Sequence, residues 1–447
     1  MNKLSSYVKP LFNETQPEDY LNVAKLTADG LIEKAKHTQD GYTWEFLPVG
    51  QFSLYSGNAG ILYFLLKLAQ STGDEKYKEA VTKATNYIIK NWDEGSHNKP
   101  YGGVERSEWC FYNGVTGIAF VLTEVAKYTG DDDVKAFAYQ LIEDTINAAR
   151  PSSKGLQWTG DTGVFFDSGI ILFLIYAAQT YENEKWLDIA EQAGNQIMNK
   201  AIVLDEHRVK WPNVSATIFG LEHGDEMPNF FYSTTSGVSF TLAKLYEATK
   251  EQKFLETAIK GASYIESIAV QHDNKTLIPY SLPNKQDIYY LGLCHGAVGT
   301  SRLFYQLYKV TEDSNYKETF EAIIEGVINT GAPELHSPGY WNVTCQCCGS
   351  AGMSNLFNGA WIETHNDYYL ELSTRVGNQL LSETKADDGD VLWYQAWNRT
   401  EPWNIKANLG YFDGAAGNAA ELLSIYLANK NDIDSTRFPD DPYPIKL

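Results

Sequence analysis

The sequence predicts an all-α fold, an α/α toroid in which a ring of outer helices surrounds a ring of inner helices. Two observations predict it. A small-residue turn that opens an apolar segment occurs seven times, and a polar turn follows it in most repeats. Because internal repeats take the place of the two or three domains that roughly 150 residues per domain would suggest, we expect residues 1–447 to form one toroidal domain.

The first turn is rich in glycine and has the pattern Gly-x-x-Gly in five of its seven copies. The third and fourth copies contain one glycine each, Gly169 and Gly237, which we align with the first glycine of the pair. The copies begin near Ser56, Asn113, Phe166, Thr234, His295, Cys348 and Asp413. Each opens a segment such as Ile61–Leu68 with apolar residues on nearly every face, which predicts inner helices buried on more than one side.

The second turn begins with Thr or a substitute and carries an aromatic residue or Val five positions on, as in Thr72 to Tyr77. The seventh repeat ends without a clear copy of it. The segments that follow, such as Tyr77–Trp92, have apolar residues at helical spacing with Lys and Glu between them, which predicts half-exposed outer helices. Such units bury their inner helices only when neighbours surround them, so we expect the seven units to close into a ring.

The glycine turns should meet at one end of the ring, because each has the same place in its unit. The longest insertions, Ala201–Tyr232 and Ala386–Leu409, precede the fourth and seventh turns and should form ordered loops at this mouth. We expect residues 1–50 to be a helical segment that leads into the first repeat, and residues 428–447 to be a C-terminal tail.

Composition excludes several classes of partner. The 36 basic and 57 acidic residues give a net charge of −21 at pH 7, which repels nucleic acid and anionic membranes. Residues 1–12 lack the apolar core of a signal peptide, and no segment is apolar over the roughly 18 residues that span a bilayer. We therefore expect a cytoplasmic protein. The five cysteines are an odd number, and three of them lie within four positions, which argues against a disulfide framework.

Two consecutive glycine turns carry thiols next to their first glycine: Cys294-His295-Gly296 and Cys347-Cys348-Gly349. Neighbouring turns in a ring would bring Cys294, Cys347 and Cys348 to one point. Three protein ligands and an open fourth position are typical of catalytic zinc, so this pattern predicts a Zn²⁺ site. The alternative is that these cysteines are small core residues. Cys345 is either a fourth ligand or a bystander, and Cys110 is interpreted as a packing residue.

The glycine turns, with Cys-His-Gly in the fifth unit and Cys-Cys-Gly in the sixth, resemble the LanC-like family of lanthipeptide cyclases from about Phe52 to Leu427. The resemblance implies zinc held by Cys294, Cys347 and Cys348, with a Cys where the family usually has a sixth-unit His. It implies addition of peptide Cys thiols to dehydroalanine or dehydrobutyrine, which forms lanthionine or methyllanthionine rings. Implied partners are a dehydrated precursor peptide or another thiol or dehydroamino-acid substrate, a dehydratase and an exporter.

The chain departs from the family pattern at two positions. Ser236 stands where the fourth unit should carry a His, and an Asp expected before the second turn falls at or near Cys110. The candidates for the missing acid and base are His295, His223 and Asp413, each close to a glycine turn.

Two other functions stay open. One is a carbohydrate-active toroid enzyme, with acidic residues as acid and base and aromatic residues that bind sugar. Its candidate residues are Asp161, Asp167, Asp413, Trp341, Trp393, Trp397 and Trp403. The other is a catalytically divergent relative that binds zinc and a peptide or thiol, which the two departures favour.

Overall fold

The structure, a computed structural model, describes residues 15–45, 50–92, 104–212, 225–232, 234–272, 275–285, 287–335, 343–387, 390–396, 401–433 and 436–444. These residues form fourteen α-helices. The inner helices are α2 (Asn58–Thr72), α4 (Val115–Thr129), α6 (Asp167–Thr180), α8 (Thr235–Thr249), α10 (Ala297–Thr311), α12 (Ser350–Thr364) and α14 (Ala415–Asn429). The outer helices are α1 (Pro17–Lys34), α3 (Glu75–Lys90), α5 (Asp132–Asn147), α7 (Glu184–Asn199), α9 (Gln252–Ile268), α11 (Ser314–Asn329) and α13 (Asp367–Glu383).

The inner helices form a closed ring. Each contacts the next along the chain, and α14 contacts α2. Each outer helix from α3 to α13 packs against the inner helix that precedes it. The predicted α/α toroid of seven helical hairpins is therefore confirmed. None of the described helices has the length and apolar character needed to cross a bilayer.

The ring depends on one glycine in the first turn of every inner helix. A Cβ at these positions would lie between 1.7 and 2.4 Å from a carbonyl oxygen of the turn before the helix. The residues are Gly60, Gly117, Gly169, Gly237, Gly299, Gly352 and Gly417. Gly169 and Gly237 therefore correspond to the second glycine of the pair, and their alignment with the first was wrong. Phe166 and Thr234 occupy the N-cap position that glycine fills in the other units.

The second turn is built as the sequence predicts. Thr72 ends α2 and donates its hydroxyl to the Leu68 carbonyl at 2.7 Å, and Gly73 follows with a φ of 65°. Asp74 then caps α3 by accepting a hydrogen bond from the Lys76 amide. The same threonine-to-carbonyl bond ends α4, α8, α10 and α12.

The seventh unit obtains its outer helix from the beginning of the chain. Helix α1 packs against α14, and the Tyr20 hydroxyl donates to Asn378 Oδ1 on α13 at 2.7 Å. The segment within residues 1–50 thus completes the last repeat as well as preceding the first. This explains why the sequence shows no outer-helix signal after α14.

Short antiparallel hairpins connect outer helices to the next turn. Their strands are β1 (Lys36–Thr38), β2 (Gly41–Thr43), β3 (Arg150–Pro151), β4 (Leu156–Gln157), β5 (Ile202–Val203), β6 (Val209–Lys210), β7 (Val270–His272), β8 (Lys275–Leu277), β9 (Thr384–Asp387) and β10 (Asp390–Trp393). A further hairpin, β11 (Gln395–Ala396) with β12 (Ile405–Lys406), lies in the last insertion. Trp44, Trp158, Trp211 and Trp393 end or follow four hairpins, and each indole N–H donates to an outer-helix carbonyl at 2.7–2.9 Å.

The C-terminal tail fills the middle of the ring. Phe438 packs against Tyr63, Phe120 and Phe412 from three inner-ring units. Asp440 accepts hydrogen bonds from Arg302 at 2.9 Å and from the Tyr112 hydroxyl at 2.6 Å. A core of aromatic side chains and buried ion pairs therefore occupies the ring below the glycine turns.

Candidate metal centre

The glycine turns are joined by backbone hydrogen bonds around the mouth of the ring. The bonds run from the amide of one turn to the carbonyl of another, and six of them are formed by seven equivalent residues at 2.6–3.1 Å. Those residues are Tyr55, Tyr112, Phe165, Phe231, Cys294, Cys347 and Phe412. Five are aromatic and two are cysteine, so the thiols of consecutive units interrupt an otherwise aromatic ring.

Cys294, Cys347 and Cys348 converge at one point, as predicted from the spacing of the turns. Their sulfur atoms all lie within 4.8 Å of one another, and Cys294 Sγ is 3.3 Å from Cys348 Sγ. The Cys294 amide donates to the Cys347 carbonyl at 3.1 Å, which holds the two turns in register. Zinc–sulfur bonds of about 2.3 Å in a tetrahedron separate sulfurs by about 3.8 Å. The three donors therefore fit a zinc ion with small adjustments.

Burial shapes the chemistry of these thiols. Cys294 and Cys347 are almost fully buried, and burial raises the pKa of each well above its usual value. They are therefore neutral unless a positive charge binds between them, because a buried thiolate needs a compensating charge. Cys348 is partly exposed and is the member of the cluster that solvent reaches.

The other two cysteines lie outside this group. Cys345 is buried and hydrogen bonds to Cys348, but it does not belong to the set of mutually close donors found among the described residues. Its amide donates to Gln395 at 3.2 Å. Cys110 is fully buried, as a packing residue should be.

His295 follows Cys294 in the sequence, and its ring packs against two tyrosine rings. It stacks on Tyr232 with ring centroids 5.1 Å apart and an angle of 9°, and Tyr280 packs edge-on at 5.6 Å. Burial lowers the pKa of His295 to about 3, so its imidazole is neutral near pH 7. The second histidine candidate, His223, lies outside the described residues.

Asp413 occupies the position in the seventh turn that His295 and Cys348 occupy in theirs, directly after the mouth residue. Asn408 donates to its Oδ2 at 3.1 Å, and its buried Oδ1 has no hydrogen-bond partner among the described residues. Burial raises the pKa of Asp413 to about 7. This carboxyl group can therefore both give and accept a proton near neutral pH.

Sequence reasoning missed two residues at the mouth, Tyr55 and Gln395. Burial raises the pKa of the Tyr55 phenol well above its usual value, and the Tyr55 ring stacks on Phe412, the neighbouring residue of the mouth, whose carbonyl accepts from the Cys347 amide. Tyr55 is equivalent to Cys294 and Cys347 in its own unit, so aligning the residues two before the first glycine would have found it. Gln395 lies in an insertion that has no counterpart in other units, and no signal marks it.

Several residues proposed for a carbohydrate site have structural roles. The Asp167 carboxylate accepts backbone hydrogen bonds from Trp158, Thr159 and Gly160, and Asp161 accepts one from Gly163. Trp393 is buried and its indole N–H donates to the Leu380 carbonyl, whereas Trp403 is 76% exposed. Trp341 and Trp397 lie outside the described residues.

Comparison with known families agrees with this architecture. The family model described as lanthionine synthetase C-like protein matches residues 48–438. The chain belongs to this family. No curated protein shows a significant match to this LanC-like chain.

Solved structures resemble this chain at low sequence identity. Nisin cyclase superposes with a TM-score of 0.64 at 14% identity, covering 92% of this LanC-like chain and 95% of its own. A sugar epimerase from a ruminal bacterium has a TM-score of 0.47 at 13% identity, with 93% and 99% covered. The GH76A α-1,6-mannanase from Salegentibacter sp. HEL1_6 has a TM-score of 0.41 at 17% identity, with 72% and 91% covered. At these identities the likeness of nisin cyclase shows the fold.

The corrected register also moves one departure from the LanC-like pattern. Because Thr234 is the N-cap of α8, the residue before the first-glycine position of the fourth unit is Ser233, and the assignment to Ser236 was wrong. Ser236 instead lies buried in the first turn of α8. The residue type is unchanged, so the fourth unit still has no His at this position.

Proposed function

We propose that this LanC-like chain binds one Zn²⁺ through Cys294, Cys347 and Cys348 and forms thioether rings in a dehydrated precursor peptide. The reaction is addition of a peptide Cys thiol to dehydroalanine or dehydrobutyrine, which gives lanthionine or methyllanthionine. The observation that carries the proposal is the convergence of three sulfurs at the mouth of a closed helical ring. The precursor peptide would come from a dehydratase and pass on to an exporter.

The donor set suits this chemistry. A Zn²⁺ bound there would keep a substrate thiol deprotonated near neutral pH, and the thiolate is the competent nucleophile. The three cysteines would supply the protein ligands, and backbone hydrogen bonds at Cys294 and Cys347 fix the positions of the two turns. The partly exposed side of Cys348 is where a substrate can approach.

Asp413 is the strongest candidate for supplying the proton that the reaction needs. When the substrate sulfur bonds to the β-carbon, the π electrons of the double bond move to an enolate, and the α-carbon then takes a proton. Asp413 has a pKa of about 7, so its protonated form is available to donate it. Burial keeps His295 neutral, so it has no imidazolium proton to donate near pH 7 and is a candidate only as a weak base that accepts the proton of the substrate thiol. His223 remains the third candidate, as a prediction.

Metal content and ring formation test the proposal together. Purified protein should contain about one equivalent of zinc. It should also consume the free thiol of a peptide that contains Cys and dehydroalanine, measured as loss of alkylation because the addition leaves the mass unchanged. The Cys294→Ala variant should lose both the zinc and the ring-forming activity, because only two thiols of the site remain to bind the metal.

Cys110→Ala is the matched control, since Cys110 is also fully buried and does not belong to the set of cysteines whose sulfur atoms lie close together. It should keep the zinc and the activity. Equal zinc content in the Cys294→Ala and Cys110→Ala variants would contradict the proposed site. Zinc binding without turnover on dehydrated peptides would favour the alternative of a catalytically divergent, zinc-binding relative.

A further inference from the structure

Gln395 connects the sixth and seventh glycine turns through one buried carboxamide. Its Oε1 accepts hydrogen bonds from the Thr344 amide at 3.1 Å, the Thr344 hydroxyl at 3.0 Å and the Cys345 amide at 3.2 Å. Its Nε2 donates to the Asp413 carbonyl at 3.1 Å. The side chain is 6% exposed, so water does not compete with these bonds.

We infer that Gln395 is a positioning residue for the metal centre, an inference that rests on the proposed function. The chain segment that it fixes, Thr344 and Cys345, leads directly into Cys347 and Cys348. The other segment that it fixes carries Asp413. Gln395 therefore sets the spacing between two thiols and the carboxyl group through hydrogen bonds to the turns that carry them.

The chemistry of the contacts requires an amide at this position. Three donors converge on one oxygen while the nitrogen donates to a carbonyl, and a carboxamide offers an acceptor and a donor in one rigid plane. Glutamate would keep the acceptor and lose the donor. Methionine has a similar length and would lose both, which leaves the Thr344 and Cys345 amides buried without partners.

A second set of contacts supports the same turn from the other side. The Cys347 amide donates to the Phe412 carbonyl at 3.0 Å, and Gln346 Nε2 donates to Glu421 Oε2 at 2.7 Å. These contacts should keep the turn folded when Gln395 is changed. We expect loss of Gln395 to loosen the spacing of the ligands rather than to unfold the unit.

Cobalt binding tests this inference with the full-length, metal-free protein. Co²⁺ bound to thiolates gives charge-transfer and d–d absorption that report ligand number and geometry, and competition with a chelator gives the affinity. Loss of groups that orient metal ligands typically weakens metal binding by 10–100-fold. We expect Gln395→Met to weaken Co²⁺ binding by about tenfold or more and to change the d–d spectrum. Gln395→Glu should bind Co²⁺ with an affinity between those of Gln395→Met and the unchanged protein.

Gln196→Met is the matched control, because Gln196 is equally buried and accepts a backbone hydrogen bond from Lys154 far from the cysteines. It should bind Co²⁺ as the unchanged protein does. If Gln395→Met has the affinity and spectrum of Gln196→Met, the positioning role is refuted while the metal site stands. If Gln395→Met does not fold, a Gln395→Glu variant with unaltered Co²⁺ affinity and spectrum refutes it. If the unchanged protein binds no Co²⁺ through thiolates, the proposed function itself fails.

Discussion

The buried ion pair between Arg302 and Asp440 should hold the C-terminal tail inside the ring. Arg302 is 4% exposed and Asp440 3% exposed. One guanidinium nitrogen donates to Asp440 Oδ2 and to its carbonyl, both at 2.9 Å, and the other donates to Asn355 at 3.0 Å. The Arg302→Met variant would leave the carboxylate buried without its cation. Breaking a buried pair in this way costs about 3–5 kcal/mol of unfolding free energy.

The deficit should depend on pH in a defined direction. Burial already raises the pKa of Asp440 above its unfolded value of 3.8, and loss of Arg302 raises it further. The folded variant then binds a proton that the unfolded chain releases, so its stability falls as pH rises above 3.8 and through the raised folded pKa. The deficit should be small at acidic pH and largest near pH 8.

The loss of stability is measured by urea unfolding monitored with circular dichroism, and the midpoint and slope of the transition are compared at several pH values. In the double variant Arg302→Met/Asp440→Asn, the unpaired carboxylate of Asp440 is removed and the new amide oxygen can still accept from Tyr112, so much of the stability should return. A loss below about 1 kcal/mol in the single variant would contradict this prediction, since burying an unpaired charge costs more than that. A double variant that is no more stable than the single variant would also contradict the prediction.

Three further predictions concern the turns, the hairpins and the carboxyl group at the mouth. Gly299→Ala places a Cβ 2.0 Å from the carbonyl oxygen of Leu293, the residue before Cys294. Thermal unfolding should therefore show a lower melting temperature, and titration with Co²⁺ should show a lower affinity for the metal. Gly73→Ala has open space and should cost only about 1 kcal/mol for its left-handed backbone. Trp158→Phe removes the 2.7 Å bond to Thr145 and some packing, and urea unfolding should show a loss of about 1–3 kcal/mol. If Asp413 is the acid, the rate of enolate protonation should fall as pH rises through about 7, and Asp413→Asn should abolish this fall. The rate is measured as incorporation of deuterium from the solvent. An unchanged pH profile in the variant would exclude Asp413 as the acid.

The sequence predicts those features that repeat. Seven turns of similar composition predict the ring, and two thiol-bearing turns in succession predict the cysteine cluster. The register of the third and fourth turns could not be predicted, because one glycine fits either position of the pair. Only the close approach of Gly169 and Gly237 to a carbonyl oxygen decides between them.

Features without a repeat could not be predicted for a different reason. Tyr20 bonds to Asn378, 358 residues away, and no local pattern signals a partner at that separation. Gln395 acts through hydrogen-bond geometry inside an insertion with no equivalent elsewhere in the chain. The tail that carries Asp440 is short and irregular, and its place inside the ring follows from buried partners on several helices.

The closure of the ring by α1 and α14 has a consequence for biosynthesis. Helix α1 leaves the ribosome long before its docking partner, and at 5–20 residues per second the interval between them is roughly 20 to 80 seconds. During that time the buried side of α1, which carries Tyr20, Ala24 and Leu31, lacks its main partner α14. The ring therefore closes only after its seventh inner helix has been made, and the nascent chain keeps an uncovered apolar helix face until then.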